Sequence, residues 1–302
     1  MKKQMKEALL PLKSSLIPLI MEIQSPKYPE WTTLLSLKKI SISHGVRQVY
    51  DQGDGQALLF IHGFPLNHRM WCEQLEEFSR DYRVIAPDLC GFGGSDSVSD
   101  DAVLTMKQFS DELVEILLTL DLDIPVHLVG LSMGGYILGQ FQKDHAMRIA
   151  SMVFCDTKST ADTEEVKSNR HKTARVVLEA GSSSLAEVMG SKLFAPNTPA
   201  SIFDEVKTMI VDASPAGIAA ASRGMAERED FTDQLQTFRV PTLVVAGEYD
   251  SISPPAEMQT MAEKIPDSEF IEIANAGHMS PLENPQDFNA ALRAFLRRVE
   301  LA

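Results

Sequence analysis

A serine with glycines two residues before and two after it, Gly130-Leu131-Ser132-Met133-Gly134, stands between an apolar, β-favouring run and a stretch with helical spacing. A hydroxyl is a weak nucleophile at neutral pH. A serine placed for chemistry therefore needs a base within hydrogen-bond reach and a carboxylate that orients the base. With glycine at about 7% of residues and serine taken as similar, the bare pattern arises by chance in roughly one chain in ten of this length. Its setting adds the information. A sharp strand-to-helix turn holds the serine in a strained conformation, and it brings neighbouring backbones so close that glycine is required around it. Gly130, Gly134 and Gly135 are accounted for by that turn.

Base and acid are expected downstream, in the order serine, acid, histidine. Asp250 closes the apolar run "PTLVVAGEYD", and His278 follows "FIEIANAG". An aspartate after a strand is often only a turn former, and a lone histidine is more often structural. What raises both is position: in a parallel sheet they fall at the carboxyl ends of strands, the edge that carries Ser132 and where open α/β sheets place their sites. Glu248 competes with Asp250 as the acid. His44, His68, His145 and His171 sit in turn-like or helical surface patterns, and His127 lies inside the strand that precedes the serine. An acyl-transfer site also needs two amides aimed at the developing oxyanion. The expected donors are the N–H of Met133, directly after the nucleophile, and that of Phe64 in the loop "HGFP". "DLCGFGGSD" lacks the full G-x-G-x-x-G spacing of a dinucleotide loop and reads as scaffold beside the site.

The elements that position these residues alternate. "KKISISHGVRQVYDQG" reads as two strands around a turn at His44-Gly45, "QALLFIHG" as a buried strand, and "NHRMWCEQLEEFSRDY" as a helix with Asn67 as its N-cap. "YRVIAPD" is a strand, "TMKQFSDELVEILLTLDL" a long amphipathic helix, and "IASMVFCD" a strand that closes the first series. Between Thr157 and Phe238 every patterned segment is helical. Alternation then resumes to the end, with Pro285 in the first turn of the last helix. The expected fold is α/β: a mostly parallel central sheet with helices on both faces and an inserted all-helical unit. Residues 36–156 and 239–302 form the core, 157–238 the insertion, and 1–35 an N-terminal extension of unknown role.

Composition limits the partners. The 302 residues are 44% hydrophobic and 23% charged, as in ordinary folded proteins, and the net charge of −14 disfavours nucleic acid and anionic lipid. Three cysteines without zinc-type spacing point to no structural metal and to a reducing compartment, the cytoplasm. The N-terminal "MKKQMKEALLPLKSSLIPLIMEI" has the rough order of a secretory signal, but Lys13, Pro11 and Pro18 interrupt it and no clear cleavage site follows. It reads as an extension, with Met21 as an alternative start. No segment reaches the roughly 18 apolar residues of a membrane span.

"FIHGFPLNHRMW", "APDLCGFGGSD", "VGLSMGG", "VVAGEYDSISPP" and "NAGHMSPLENPQDFN" resemble the motifs of the α/β-hydrolase superfamily, most of all the 3-oxoadipate enol-lactonase-like esterases, from about Ile40 to Leu296. The resemblance implies Ser132 as nucleophile, Asp250 as acid, His278 as base, the Phe64 and Met133 amides as oxyanion hole, and 157–238 as a cap over the site. Cys90 stands where these relatives often carry arginine, and 1–35 has no counterpart among them. The expected function is cleavage of a small carboxylic ester or lactone through an acyl-enzyme, without cofactor or metal. The same triad supports two other reactions, carbon–carbon bond hydrolysis and cofactor-free perhydrolysis, and a hydrolase-like ligand receptor is the rival outside catalysis. Haloalkane dehalogenase and epoxide hydrolase activities are disfavoured, because their relatives carry aspartate where this chain has Ser132. An anionic substrate needs a local cation, for which Arg170, Arg175 and Arg223 are candidates. The sequence leaves the oligomeric state open.

Overall fold

The structure is a computed structural model that describes residues 36–301; the expected extension, 1–35, lies outside the described residues. Its strands are β1 (Leu37–Ile42), β2 (Gly45–Gln52), β3 (Ala57–Ile61), β4 (Arg83–Pro87), β5 (Val126–Leu131), β6 (Ile149–Cys155), β7 (Thr242–Gly247) and β8 (Ser268–Ile273). They form one sheet in the order β1-β2-β4-β3-β5-β6-β7-β8. β1 pairs antiparallel with β2, and β2 antiparallel with β4. Every pair from β4 through β8 is parallel. β3, β5 and β7 are buried along their whole length, which is why they read as unbroken apolar runs rather than as alternations. β8 lies at an edge and is only half-buried, with Glu269 and Glu272 among its residues, charges that blunt an edge against further pairing.

Strand order places the site. From β3 the chain steps outward to β4 and then returns to β5 on the other side of β3, so the direction of winding reverses between β3 and β5. Loops leaving the carboxyl ends of two such strands diverge and open a crevice, the place where ligands bind in open α/β sheets. The loop after β3 begins at His62-Gly63, and β5 leads directly into Ser132.

Helices cover the sheet. α1 (Cys72–Phe78) follows a single tight turn at His68–Trp71, capped by the Asn67 side chain, which accepts the Arg69 amide at 3.0 Å. The apolar spacing predicts one continuous helix here; the structure divides it and ends α1 at Phe78. α2 (Met106–Thr119) opens on a reciprocal capping box between Thr105 and Gln108 and buries Phe109, Leu113, Ile116 and Leu117, one stripe at helical spacing. A buried Arg47–Glu112 ion pair fixes β2 to α2, and Glu112 also accepts the Cys90 amide at 2.9 Å.

α3 (Met133–His145) follows β5 directly. Between β6 and β7 lie α4 (Glu164–Ala180), α5 (Ser183–Met189), α6 (Ala200–Asp212) and α7 (Pro215–Ala226), with no strand among the described residues. α5 ends at Met189, before the expected Phe194, and a single 3₁₀ turn, Gly190–Lys192, follows it; at Gly190 a β-carbon would stand 2.4 Å from the Phe203 ring. α7 is rich in alanine and glycine and buried on nearly all sides. It packs along α4, and its Ala220 carbonyl accepts the Leu104 amide at 3.1 Å. α8 (Pro255–Glu263), the short α9 (Ser280–Glu283) and α10 (Pro285–Glu300) complete the chain, with Pro285 at the first helical position and Asn284 capping the Asp287 amide.

Candidate active site

Ser132 occupies the turn between β5 and α3 with φ 53° and ψ −109°, a backbone conformation that costs a non-glycine residue about 1–3 kcal/mol. Neighbouring groups hold it there. The Ser132 amide donates to the Cys155 carbonyl at 2.9 Å, and its own carbonyl accepts the Thr157 hydroxyl at 2.7 Å and the Gly135 amide at 2.9 Å. At Gly130 a β-carbon would stand 2.6 Å from the Gly134 carbonyl, so the helix can start this close to the strand only because that position has no side chain.

The three side chains expected to act together meet. His278 Nε2 lies 3.0 Å from Ser132 Oγ, and His278 Nδ1 lies 2.9 Å from Asp250 Oδ2. Asp250 Oδ1 accepts the amides of Ile252 at 2.8 Å and Ser253 at 3.0 Å, which fixes the carboxylate plane. Burial alone would raise the Asp250 pKa, but the hydrogen bond and charge of His278, with those two amides, hold it below the ordinary carboxylate range. Asp250 and His278 are each 4% exposed, whereas Ser132 is partly open to the outside. This combination suits a reachable nucleophile backed by a dry base and acid. Glu248, the competing acid, faces outward and accepts the Asn275 amide instead.

The two expected oxyanion donors stand on the loops that the sheet reversal separates. Met133 opens α3, so its N–H is one of the first-turn donors without an intrahelical partner. Phe64 follows Gly63, and its ring meets Phe92 edge-on at 6.4 Å. The Phe64–Pro65 peptide bond is cis. His62 anchors this loop: burial pushes its pKa down to about 4, so the ring is neutral, with Nδ1 donating to the Gly63 carbonyl at 3.0 Å and Nε2 accepting the Leu89 amide at 3.1 Å.

Other sequence expectations are corrected or extended. His68 is buried rather than on the surface, with Nδ1 2.7 Å from Asp88. Asp88 also accepts the Gly94 amide, which ties down the glycine-rich loop in the scaffold role expected for it. Of the candidate cations, Arg170 is paired with Asp162, Arg223 donates to the carbonyls of Asp100 and Ala102, and Arg175 is exposed. Two acids beside the site escape the sequence reading. Asp156, fully buried at the end of β6, accepts the Gly247 amide at 2.8 Å and the Ser280 hydroxyl at 2.5 Å. Glu283, at the end of α9, accepts the amides on both sides of His278. For Asp156 a signal exists, since it ends a parallel strand as the other site residues do; nothing in the local pattern marks Glu283. Among the described residues no group of three or more His, Cys, Asp or Glu side chains is placed to hold a metal ion.

The sheet agrees with what comparison finds. Residues 56–285 match the family model described as alpha/beta hydrolase fold, so the chain belongs to the α/β-hydrolase fold family and is a hydrolase enzyme. It is 40% identical to a thermophilic esterase from Thermogutta terrifontis solved with malate bound, with TM-score 0.83 over 87% of this chain and 98% of that one. It is 29% identical to 3-oxoadipate enol-lactonase 2 of Acinetobacter baylyi, over 82% of this chain and 91% of the relative. A non-heme chloroperoxidase of Kitasatospora aureofaciens is 30% identical over 84% of this chain and 97% of its own length.

Proposed function

We propose that the protein is a serine hydrolase of small carboxylic esters or lactones that works through an acyl-enzyme. The observation that carries this reading is the unbroken hydrogen-bond series from Ser132 Oγ through His278 to Asp250. With its Nδ1 proton donated to Asp250, the neutral imidazole presents a bare Nε2 to the serine hydroxyl. His278 takes the Ser132 proton as the oxygen attacks the carbonyl carbon, and Asp250 stabilises the imidazolium that forms. The tetrahedral oxyanion lies between the amides of Phe64 and Met133. As the intermediate collapses, His278 returns its proton to the departing alcohol. Water activated by the same ring then releases the acid and frees Ser132. No cofactor enters these steps.

In this reading 157–238 forms a cap that sets substrate size, and 36–156 with 239–302 supplies the chemistry. Of the candidate cations, Arg170 and Arg223 already have partners, which leaves the exposed Arg175 as the one to meet an anionic acyl group. Small-molecule substrates and a cytoplasmic setting fit the acidic chain and its three free thiols. Among the described residues no helix is long and apolar enough to cross a membrane. The chloroperoxidase relative favours a second reading, perhydrolysis, in which hydrogen peroxide replaces water against the acyl-enzyme.

A panel of neutral and anionic p-nitrophenyl esters and lactones, with product identification, tests the proposal. Turnover by the wild type with a loss of about a thousandfold or more in Ser132→Ala is the expected result. Equal activity of the two proteins would sink it.

A further inference from the structure

The Glu283 carboxylate stands between two pieces of backbone from different parts of the chain. Its Oε1 accepts the amides of Gly277 at 2.9 Å and Met279 at 3.1 Å, the residues on either side of His278. Its Oε2 accepts the Ala195 amide at 2.7 Å and the Thr198 hydroxyl at 2.5 Å, both in the segment between α5 and α6. The two pieces also touch directly, for a β-carbon on Gly277 would stand 2.7 Å from the Ala195 nitrogen and 2.7 Å from the Phe194 carbonyl carbon. Four donors fill the acceptor sites of one carboxylate. No other side chain joins the histidine loop to this segment among the bonds of the described residues.

We infer that Glu283 is a positioning residue that locks the Leu193–Thr198 segment to the histidine loop, so that the seat of this segment sets the placement of the His278 ring. The inference rests on reading His278 as the base. Its physical basis is that a displacement of about 1 Å at a reacting group can cost on the order of a hundredfold in rate. Among the described residues the ring is hydrogen-bonded at Asp250 and Ser132, and the backbone on each side of it is held by Glu283. Substrate that shifts the segment between α5 and α6 therefore changes the readiness of the base as well as the shape of the pocket.

Substitutions separate the two halves of the lock. Glutamine offers one acceptor oxygen in place of two, so Glu283→Gln leaves the amides of one side, Gly277 and Met279 or Ala195, without their acceptor. Thr198→Val removes the hydroxyl's bond to Glu283, along with its local contact to the Ala195 carbonyl, without touching the histidine loop. The readout is the burst of p-nitrophenol from a p-nitrophenyl ester: its amplitude counts working sites, and its rate reports acylation per site. His278 acts in both halves of the cycle, so acylation and deacylation should slow together. We expect a loss of about tenfold or more in Glu283→Gln, more in Glu283→Ala, and about three- to tenfold in Thr198→Val, with KM changed far less than kcat. The effects of Glu283→Gln and Thr198→Val should be less than multiplicative in the double variant, because they break one link. A structural role alone would lower the burst amplitude or the melting temperature and leave the per-site rate at the wild-type value, which would overturn the inference. Ser132→Ala in the same assay keeps the two ideas apart. Loss of its burst with unchanged Glu283 and Thr198 variants defeats only the lock, whereas a retained burst defeats the reading of the site.

Discussion

Asp156 Oδ2 holds the hydroxyl of Ser280, two residues beyond His278, at 2.5 Å, while its other oxygen accepts the Gly247 amide at the end of β7. One buried carboxyl thus ties the end of β7, which leads to Asp250, to the first residue of α9, just beyond His278. Burial, with the charge of nearby Asp250, pushes its pKa well above the carboxylate range against the pull of those two hydrogen bonds.

The elevated pKa predicts a pH-dependent stability difference. Below about pH 4 the folded and unfolded chains both carry the Asp156 proton, and its contribution is whole. Above that, the unfolded chain releases the proton first, so the contribution falls as pH rises and levels off beyond the folded pKa. Asp156→Asn has the shape and hydrogen-bonding groups of the neutral acid and no proton to lose. Denaturant unfolding of both proteins from pH 4 to 8 should show the variant gaining on the wild type as pH rises. A difference that does not change with pH would mean that Asp156 is already ionised in the folded state.

The contact between Gly91 and Gly217 gives a second prediction. A β-carbon on Gly217 would stand 2.6 Å from the Gly91 carbonyl carbon, so α7 rests on the loop after β4 backbone to backbone. Gly217→Val should force them apart at a cost of about 1–3 kcal/mol, the scale of an overpacked site. In the proposed cap reading the wedge also raises KM for the preferred ester, through a changed pocket, more than it lowers kcat. Thermal denaturation and steady-state kinetics check this together, and unchanged KM with lowered stability would remove 157–238 from substrate binding.

Much of this arrangement is legible in sequence, for definite reasons. β3, β5 and β7 are apolar throughout because parallel strands are covered on both faces, and the strand ends then place Ser132, Asp250 and His278 on one edge. Asn67 and Pro285 mark helix starts through capping chemistry that acts within a few residues. What fails to show is long-range. His68 sits in a helical surface pattern and is buried by Asp88, twenty residues on, and Glu283 draws its partners from a segment more than eighty residues earlier. No local period records such meetings. The division of the 67–82 segment into two short helical pieces escapes for a similar reason, since its apolar spacing continues through the break.

Covalent trapping tests Ser132 as the proposed nucleophile most directly. After treatment with a p-nitrophenyl phosphonate, intact mass and peptide mapping should show one adduct per chain, on Ser132, formed slowly in His278→Ala and absent in Ser132→Ala. A wild-type protein that hydrolyses esters yet remains unmodified, or carries the adduct on another residue, would contradict the account.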